Sequence, residues 1–199
     1  MNSYIFNDED GICDKETFNA VRNSINRGRL IPYISKINLK KAYKTKSLSL
    51  FNKKQEIANL KFLKFIPNLV FLEIRSGRLR DLAPLKYTPK LDQLFLYGVN
   101  IDSLQPLSYL KELEQLTLEK IRVKKSDFYI LGELKKLKNL HAFDCGITNI
   151  DWIVKMEALE IAGFDGNVIA DYSPVKQAKK LKMVSTDKSI YEVPFDDIS

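Results

Sequence analysis

The side chains best suited to catalysis are few in this chain of 199 residues. His141 is the only histidine, and a histidine can act as a general base when it lies beside a nucleophile. No serine or cysteine in a recognisable nucleophile motif accompanies it. Carboxylates are plentiful, but a pair of them indicates hydrolysis only when the distance between them is known. We therefore predict no catalytic residue, and we expect that the chain is not an enzyme.

Metal and phosphate chemistry has equally little support in the sequence. Cys13 and Cys145, the only cysteines, lie far apart and in none of the spacings that zinc ligands adopt. Two reduced thiols with a structural role are the simpler interpretation. The glycines of RSGR and DGN lack the spacing of loops that cradle phosphate groups. We predict no metal and no cofactor.

The charge of the chain gives a first indication of its partners. A net charge of +7 and a pI near 9.2 are compatible with nucleic acid or with an acidic protein as partner. Much of the excess lies in the runs RNSINRGRL, KINLKKAYKTKS and ELKKLKN, whereas the last residues, YEVPFDDIS, are acidic. Lys135, Lys136 and Lys138 flank apolar residues at helical spacing, which predicts the solvated side of an amphipathic helix.

No targeting or membrane segment is evident. The longest apolar runs are far shorter than the ~18 residues of a membrane-spanning helix. The first residues, MNSYIFNDEDGICDK, are acidic and polar, unlike a secretory signal. We expect no membrane span and a cytoplasmic location, unless a signal sequence was removed from a secreted form. With 45% hydrophobic residues, the chain can bury a core.

The elements that would position functional residues repeat along the chain. LVFLEIRSGRLRDLAPLKYTPK, residues 69–90, aligns with LDQLFLYGVNIDSLQPLSYLKE, residues 91–112, so that the apolar positions coincide. In LxxLxL the apolar residues alternate with polar ones, which predicts a strand with one buried face. Further units follow from Leu113, Leu140, Met156 and Leu181. Since one unit cannot cover its own apolar face, the units must stack in parallel around a shared core.

The pattern LxxLxLxxxx(L/I)xx(L/I)xPLxxLxx resembles the leucine-rich-repeat family, and IDSLQPL and IADYSPV look like the returns of bacterial internalin-type repeats. The resemblance implies an α/β solenoid, a horseshoe with a parallel concave sheet and irregular or helical convex returns. Pro84, Pro106 and Pro174 fall in the returns, where no ladder N–H is required. The family often has Asn or Cys after the strand. The alignment places Gly77, Val99, Ile121 and Thr148 there, and only Asn167 conforms, so an irregular array is expected.

Residues 1–44 do not fit the repeat and are interpreted as an N-terminal helical cap. In DKETFNAVRNSINRG, Phe18, Val21 and Ile25 have helical spacing, and Gly28 follows as a terminating residue. Such a helix can seal the open edge of a repeat core, or it can be a basic partner-binding helix. We assign residues 45–190 to an array of about six to seven units and residues 191–199 to a C-terminal tail.

The residues between the frame leucines should project from the concave face. In unit order they are Ser47, Ser49, Phe51; Phe71, Glu73, Arg75; Gln93, Phe95, Tyr97; Gln115, Thr117, Glu119; Ala142, Asp144, Gly146; Ala158, Glu160, Ala162; and Met183, Ser185, Asp187. Aromatic residues and an arginine gather toward the N-terminal half, and such residues carry hot spots in protein interfaces. The predicted partner-binding residues are Phe51, Phe71, Glu73, Arg75, Phe95, Tyr97, Thr117, Glu119, Asp144 and Glu160. Alternatively, the cap covers Phe51 and Phe71 and uses them as core.

These residues predict a non-catalytic module that binds a protein partner through its concave face. Its carboxylates would repel nucleic acid and attract a basic protein. The chain also resembles small antidote (immunity) proteins, which implies a basic bacterial toxin domain as partner. A scaffold or regulatory subunit, a surface adhesion module if a signal was removed, and nucleic-acid binding through the basic cap are the alternatives. The oligomeric state is left open.

Overall fold

The computed structural model describes residues 4–6, 15–25, 36–51, 57–77, 79–187 and 189–192. The N-terminal part contains two short antiparallel strands and two helices. These elements are β1 (Tyr4–Phe6), α1 (Lys15–Ile25), β2 (Lys36–Asn38) and α2 (Leu39–Lys44), with β1 paired to β2. The helix predicted between Asp14 and Gly28 is therefore present as α1, whereas the strand pair was not predicted.

One extended sheet follows, and its strands lie side by side in chain order. The strands are β3 (Ser47–Phe51), β4 (Phe71–Gly77), β5 (Gln93–Val99), β6 (Gln115–Glu119), β7 (Asn139–Phe143), β8 (Ile161–Gly163), β9 (Met183–Thr186) and β10 (Ser189–Glu192). Neighbours from β3 to β9 are parallel, and β10 turns back to pair antiparallel with β9. Seven parallel strands in this order confirm the predicted solenoid.

A 3₁₀ segment forms each return from one parallel strand to the next. These segments are Lys61–Phe65, Ala83–Tyr87, Gln105–Tyr109, Lys125–Glu133, Asp151–Lys155 and Ser173–Gln177. Among their described residues, the returns thus contain 3₁₀ turns and no α-helix. The predicted amphipathic helix around Lys135, Lys136 and Lys138 is wrong, because the 3₁₀ segment ends at Glu133 and these lysines follow it in a turn and at the start of the next strand.

A short polar side chain starts most of these returns by accepting a hydrogen bond from the backbone N–H two residues later. The capping residues are Asn59, Asp81, Ser103, Asn149 and Asp171. This local bond holds the chain in a turn, as Asp, Asn and Ser do elsewhere. Pro84, Pro106 and Pro174 lie in the first turn of their segments, where no N–H is needed. The predicted position of the prolines is confirmed.

The core lies between the sheet and the returns. Strand register brings Leu72, Leu94, Leu116 and Leu140 to one level, and all four are fully buried. Returns close the core from the other side with residues such as Leu85, Leu107 and Leu131, which are equally buried. Every repeat therefore covers the apolar side of its neighbours, which is why one unit could not fold by itself.

The register of β7 and β8 differs from the one predicted. Ala142 and Ala162, expected on the concave face, are fully buried. Ala142 pairs with Leu118, and Ala162 pairs with Leu140. The frame therefore runs three residues earlier than predicted in β7 and three residues later than predicted in β8. The alignment failed because alanine stands at these core positions where earlier repeats have leucine. Bulky residues lie nearby, since the rings of Trp152 and Phe164 pack edge to face at 6.1 Å.

With the corrected frame, two consecutive repeats have the Asn or Cys that this kind of repeat often carries after the strand. Cys145, and not Thr148, occupies the position that corresponds to Asn167, and its thiol donates to the carbonyl oxygens of Leu118 and Phe143. The Asn167 side chain accepts the N–H groups of Cys145 and Ile147, both at 3.0 Å. It donates to the carbonyl of Ala142 at 2.6 Å. One amide thus joins two consecutive repeats.

Helix α1 packs against β3, the first strand of the parallel sheet. Phe18 and Val21 are buried, and Thr17 accepts the N–H of Ala58 at 3.1 Å. The apolar face of the helix therefore covers the N-terminal end of the core. Arg27, Arg29 and Cys13 lie outside the described residues, and the division into cap, array and tail stays a prediction.

The Asn167 bridge makes a prediction about stability. Replacing Asn167 with Ala should lower the free energy of unfolding by about 2–4 kcal/mol, because two amide N–H groups and the Ala142 carbonyl lose their partner in a largely buried turn. Urea unfolding monitored by circular dichroism measures the loss. Asn100→Ala, at an exposed position, is the matched control and should change stability by less than about 0.5 kcal/mol. Equal losses in the two variants would contradict the bridging role.

Candidate binding face of the sheet

The outward side chains of the parallel strands form one continuous surface, which we call the concave face. Its described members are Ser47, Ser49, Phe71, Glu73, Arg75, Gln93, Phe95, Tyr97, Gln115, Thr117, Glu119, Asn139, His141, Phe143, Ile161, Gly163, Met183 and Ser185, with Asp165 and Asp187 continuing the alternation. The predicted residues of β4 to β6 all lie on this side of the sheet, although Thr117 is buried there. Phe51 is placed in β3 opposite Arg75, and its side chain lies outside the described part of the structure.

An aromatic and arginine cluster occupies β4 and β5. Phe71 and Phe95 are diagonal neighbours on the two strands, offset by two residues, and their ring centroids lie 5.3 Å apart. The guanidinium carbon of Arg75 lies 4.2 Å above the centroid of the Tyr97 ring, a cation–π contact. Phe71 is half-buried and does not belong to the buried core, contrary to what the alternative interpretation required.

Polar bonds hold this cluster in place. Glu73 accepts from the hydroxyl of Ser49 at 2.6 Å and from Nε of Arg75 at 2.5 Å, so one carboxylate fixes two neighbouring side chains. The hydrogen bond from Arg75 to Glu73 raises the pKa of the guanidinium above its usual value. Burial raises the pKa of Tyr97, and Arg75 opposes that shift. Arg75 is consequently a permanent cation and Tyr97 a neutral phenol at neutral pH.

A second cluster, which the sequence analysis missed, lies on β7 and β8. The rings of His141 and Phe143 lie 5.4 Å apart, and Gly163 leaves the space that they occupy. A Cβ at Gly163 would come within 2.7 Å of His141 Nδ1 and 2.8 Å of a Phe143 ring carbon. Only glycine fits there without displacing both rings. The cluster could have been found by accepting Ala142 as a core residue, which shifts His141 and Phe143 outward.

The arrangement around His141 does not form a catalytic triad. The Ser185 hydroxyl donates to Asp165 Oδ2 at 2.9 Å, so serine and carboxylate bond to each other. His141 Nδ1 is buried without a hydrogen-bond partner among the described residues. Burial lowers the pKa of His141, and the nearby Asp165 acts in the opposite direction. A histidine in this state is a neutral aromatic surface rather than a base that activates Ser185.

Carboxylates dominate the charge of the concave face. Its described side chains include Glu73, Glu119, Asp165 and Asp187 but only one cation, Arg75. Glu119 pairs with Lys120 at 3.3 Å, and both side chains are well exposed, so the pair screens the charge only weakly. Asp187 accepts the N–H of Gly166 at 2.7 Å. The C-terminal half of the face is therefore acidic, as predicted, although not through all the residues predicted.

Asp144 and Glu160 do not project from the strands as expected, since both belong to the segments that were aligned three residues out of register. Asp144 follows β7 at a positive φ of 52°, and its side chain lies against Gly166 where the chain turns away from the sheet. Glu160 precedes β8 at the lateral edge and pairs with Lys182 at 2.6 Å, which lowers the pKa of the carboxyl. Their part in partner binding stays a prediction.

No group of three or more His, Cys, Asp or Glu side chains that could hold a metal ion occurs in the described part of the chain. Cys145 is buried, and burial raises the pKa of its thiol to about 11, so it is a structural thiol in this fold. Among the described helices, none has the length and apolar character that crossing a membrane would take.

His141, as the only histidine, gives a direct measure of the second cluster. Its imidazole resonance in NMR should titrate with a midpoint below 6.5, because burial disfavours the charged ring, and should return to about 6.5 in urea. The unfolded state then binds the proton more readily, so His141 makes stability fall as pH drops below about 6.5. His141→Gln should remove this part of the pH dependence. A midpoint above 6.5 in the folded chain would contradict the geometry.

Comparisons with known proteins agree with this architecture. No protein-family model and no curated protein sequence matches the chain. Among solved structures, an internalin (InlF) from Listeria monocytogenes aligns with a TM-score of 0.65 and 16% identity, over 87% of this chain and 56% of that chain. A leucine-rich-repeat protein from Leptospira interrogans aligns with a TM-score of 0.57 and 24% identity, over 75% of this chain and 38% of that chain.

The chain thus spans little more than half of the internalin chain and a smaller share of the Leptospira one. At these identities the likeness concerns the fold. Parallel strands in chain order, 3₁₀ returns and a buried residue at each frame position are all present. The protein has the leucine-rich-repeat fold, in an internalin-like solenoid.

Proposed function

We propose that the chain binds a protein partner through the concave face. The observation that carries the proposal is the cluster of Phe71, Phe95, Tyr97 and Arg75, whose members are outward-facing and touch one another. Aromatic residues and arginine are the residue types that dominate binding energy at protein interfaces. Ordinary packing does not explain this cluster, because the core of these strands is already filled by their buried leucine and isoleucine side chains.

Preorganisation supports the same conclusion. Ordering flexible side chains at an interface costs about 0.5–1.5 kcal/mol for each one. Here Glu73 already bonds to Ser49 and Arg75, and Arg75 already lies over Tyr97. A partner that docks on this cluster would therefore meet side chains that have lost most of their freedom on folding. The strands beneath them supply the rigid support.

The charge of the face favours a basic partner. Asp165 and Asp187 lie beyond the cluster toward the C-terminal end, and Glu119 lies between it and them. Complementary charge steers association and excludes partners of the wrong sign. The same carboxylates disfavour nucleic acid on this face, despite the net charge of +7.

Replacing Phe95, Tyr97 and Glu119 together with alanine should abolish capture of the partner, because the change removes two ring contacts and one charge from the middle of the face. The measurement is affinity capture from cells of the source organism, with quantitative mass spectrometry of the proteins retained by wild type and variant. Circular dichroism should show that the variant remains folded, since the three side chains lie outside the core.

Tyr109→Ala is the matched control for this experiment. Tyr109 is 50% exposed on a return, at the opposite side of the solenoid from the sheet. The control should retain the same proteins as wild type. Binding that survives the triple substitution, or that is lost equally in the control, would exclude the concave face as the binding surface.

The narrower form of the proposal is an antidote that neutralises a basic bacterial toxin. It is supported by the carboxylates of the concave face. If it is correct, the captured protein should stop growth when expressed alone in a bacterial host, and co-expression of this chain should restore growth. Restoration should fail with the triple variant. A captured protein without toxicity would indicate a scaffold, a regulatory subunit or an adhesion module instead, and the cytoplasmic location stays a prediction.

A further inference from the structure

A regular ladder of charged residues runs along the lateral edge of the sheet where the strands begin. The residues directly before the strands are Lys46, Val70, Asp92, Glu114, Lys138, Glu160 and Lys182, joined through backbone hydrogen bonds between neighbours. Lys138 pairs with Glu114 at 2.9 Å and Lys182 pairs with Glu160 at 2.6 Å. Lysines on this edge thus find a glutamate in the preceding repeat.

Two adjoining lysines also pair with glutamates of neighbouring repeats, one on each side. Lys136 pairs with Glu112 of the preceding repeat at 2.6 Å, and Lys135 pairs with Glu157 of the following repeat at 3.5 Å. On the edge from β6 to β9, four lysines are therefore paired with glutamates. Exposed pairs of this kind add little stability, but they neutralise the charge of these four lysines.

At the N-terminal end of the ladder the lysines have no such glutamate partner in the described part of the chain, and a groove lies there between α2 and β4. We call it the lysine groove, and its lining residues are Tyr43, Lys44, Lys46, Asn68, Val70 and Lys90. No carboxylate of the described residues lies within salt-bridge distance of Lys44 or Lys46, and the Lys90 ammonium donates to the Asn68 amide oxygen at 2.7 Å. Val70, the neighbour of Lys46 in the ladder, is uncharged and offers Lys46 no partner.

Three ammonium groups around one groove create a site for an anion. The positive potential of the three side chains favours a negative charge placed among them. Tyr43, 60% exposed, and Val70 add apolar surface beside the charges. Asn68 is fixed by donating to the Tyr43 carbonyl at 3.0 Å, so the wall of the groove is held from both sides.

The surroundings favour a single acidic group over a long polyanion. Asp92 and Glu114 follow on the same edge, directly beyond Val70. Asp92 Oδ1 is buried without a hydrogen-bond partner among the described residues, and burial together with the charge of Glu114 raises the pKa of this carboxyl. A nucleic-acid strand that extended along the edge would place its phosphates against these two carboxyl groups.

The groove also adjoins the concave face. Val70, in its wall, is the residue before Phe71, which belongs to the aromatic cluster. A protein that covers Phe71 and Phe95 can therefore reach Lys46 and Lys90 with a side chain at its rim. Rim charges of this kind mainly fix orientation and association rate.

We infer that the lysine groove receives an acidic side chain of the partner that docks on the concave face. The partner would then be bipolar, with a basic region opposite Glu119 and Asp165 and an acidic residue opposite Lys46. This arrangement fixes the direction in which the partner lies along the solenoid. The inference rests on the proposed function for the identity of the partner but not for the existence of the site.

An NMR titration of the full chain alone tests the site. The probe is the peptide acetyl-Gly-Glu-Glu-Gly-amide, added to ¹⁵N-labelled protein at low salt. The backbone amides of Asn68, Val70 and Lys90 should shift in a saturable way, and the shifts should diminish in 0.5 M salt through screening. Replacing Lys46 and Lys90 with glutamine should weaken the affinity about tenfold, because two cations of the groove are lost.

The matched control is Lys136→Gln with Lys182→Gln, which removes the same charge from two lysines that are paired with glutamates. It should keep the affinity within about twofold, since neither lysine lines the groove. The Phe95, Tyr97 and Glu119 triple variant should also bind the peptide normally. Failure of the groove and failure of the concave face are thereby distinguished.

Three results would overturn the inference. Equal shifts with the peptide acetyl-Gly-Gln-Gln-Gly-amide would show that charge is not what binds. Equal weakening in the control variant would reduce the effect to net charge. Saturation of the same amides by inorganic phosphate at lower concentration than by the glutamate peptide would make the groove a phosphate site instead.

Discussion

The pairing of equivalent positions in consecutive parallel strands is the constraint on which the rest of this structure depends. Leu72 pairs with Leu94, Leu94 pairs with Leu116, and Leu116 pairs with Leu140. Because side chains alternate between the two faces of a strand, this register sends each frame residue into the core and each intervening residue outward. A slip of one residue would bury the polar set and expose the leucines, which makes the register strongly determined. The register therefore decides which side chains form the concave face.

The same register assembles functional clusters from residues that are distant in sequence. Phe71 meets Phe95 and Arg75 meets Tyr97 only because their strands are neighbours. In the same way the edge lysines meet glutamates one repeat away, and the series ends at Lys46 and Val70 where no such glutamate is present. The chain has an excess of positive charge, yet its concave face is acidic. The sign of a local surface, and not the sum over the chain, decides which partner can dock.

How much could be predicted from the sequence differs between the two halves. Where the frame positions hold leucine or isoleucine, as in β4 to β6, the outward residues were predicted correctly from Phe71 to Glu119. Where alanine replaces leucine, at Ala142 and Ala162, the periodic signal weakened, and the frame was placed three residues late in β7 and three residues early in β8. Alanine is small enough for either face, so only its neighbours in space show which one it takes. His141, Phe143 and Asp165 were missed for this reason, and Cys145 was not recognised as the partner of Asn167.

The charge pairs could not be predicted from the sequence, for a different reason. The run ELKKLKN shows lysines beside apolar residues, which is compatible with a helix, but their glutamate partners lie a whole repeat away. The lysine groove is likewise defined by an absent partner, which only the neighbouring repeats reveal.

Site-specific photo-crosslinking in living cells of the source organism tests the central claim most directly. A photoreactive phenylalanine analogue would replace Phe95 on the concave face or Tyr109 on a return, and covalent products would be identified by mass spectrometry. The account predicts one discrete protein product from position 95 and none from position 109. A product formed only from position 109 would contradict it, since the partner would then lie on the convex side of the solenoid.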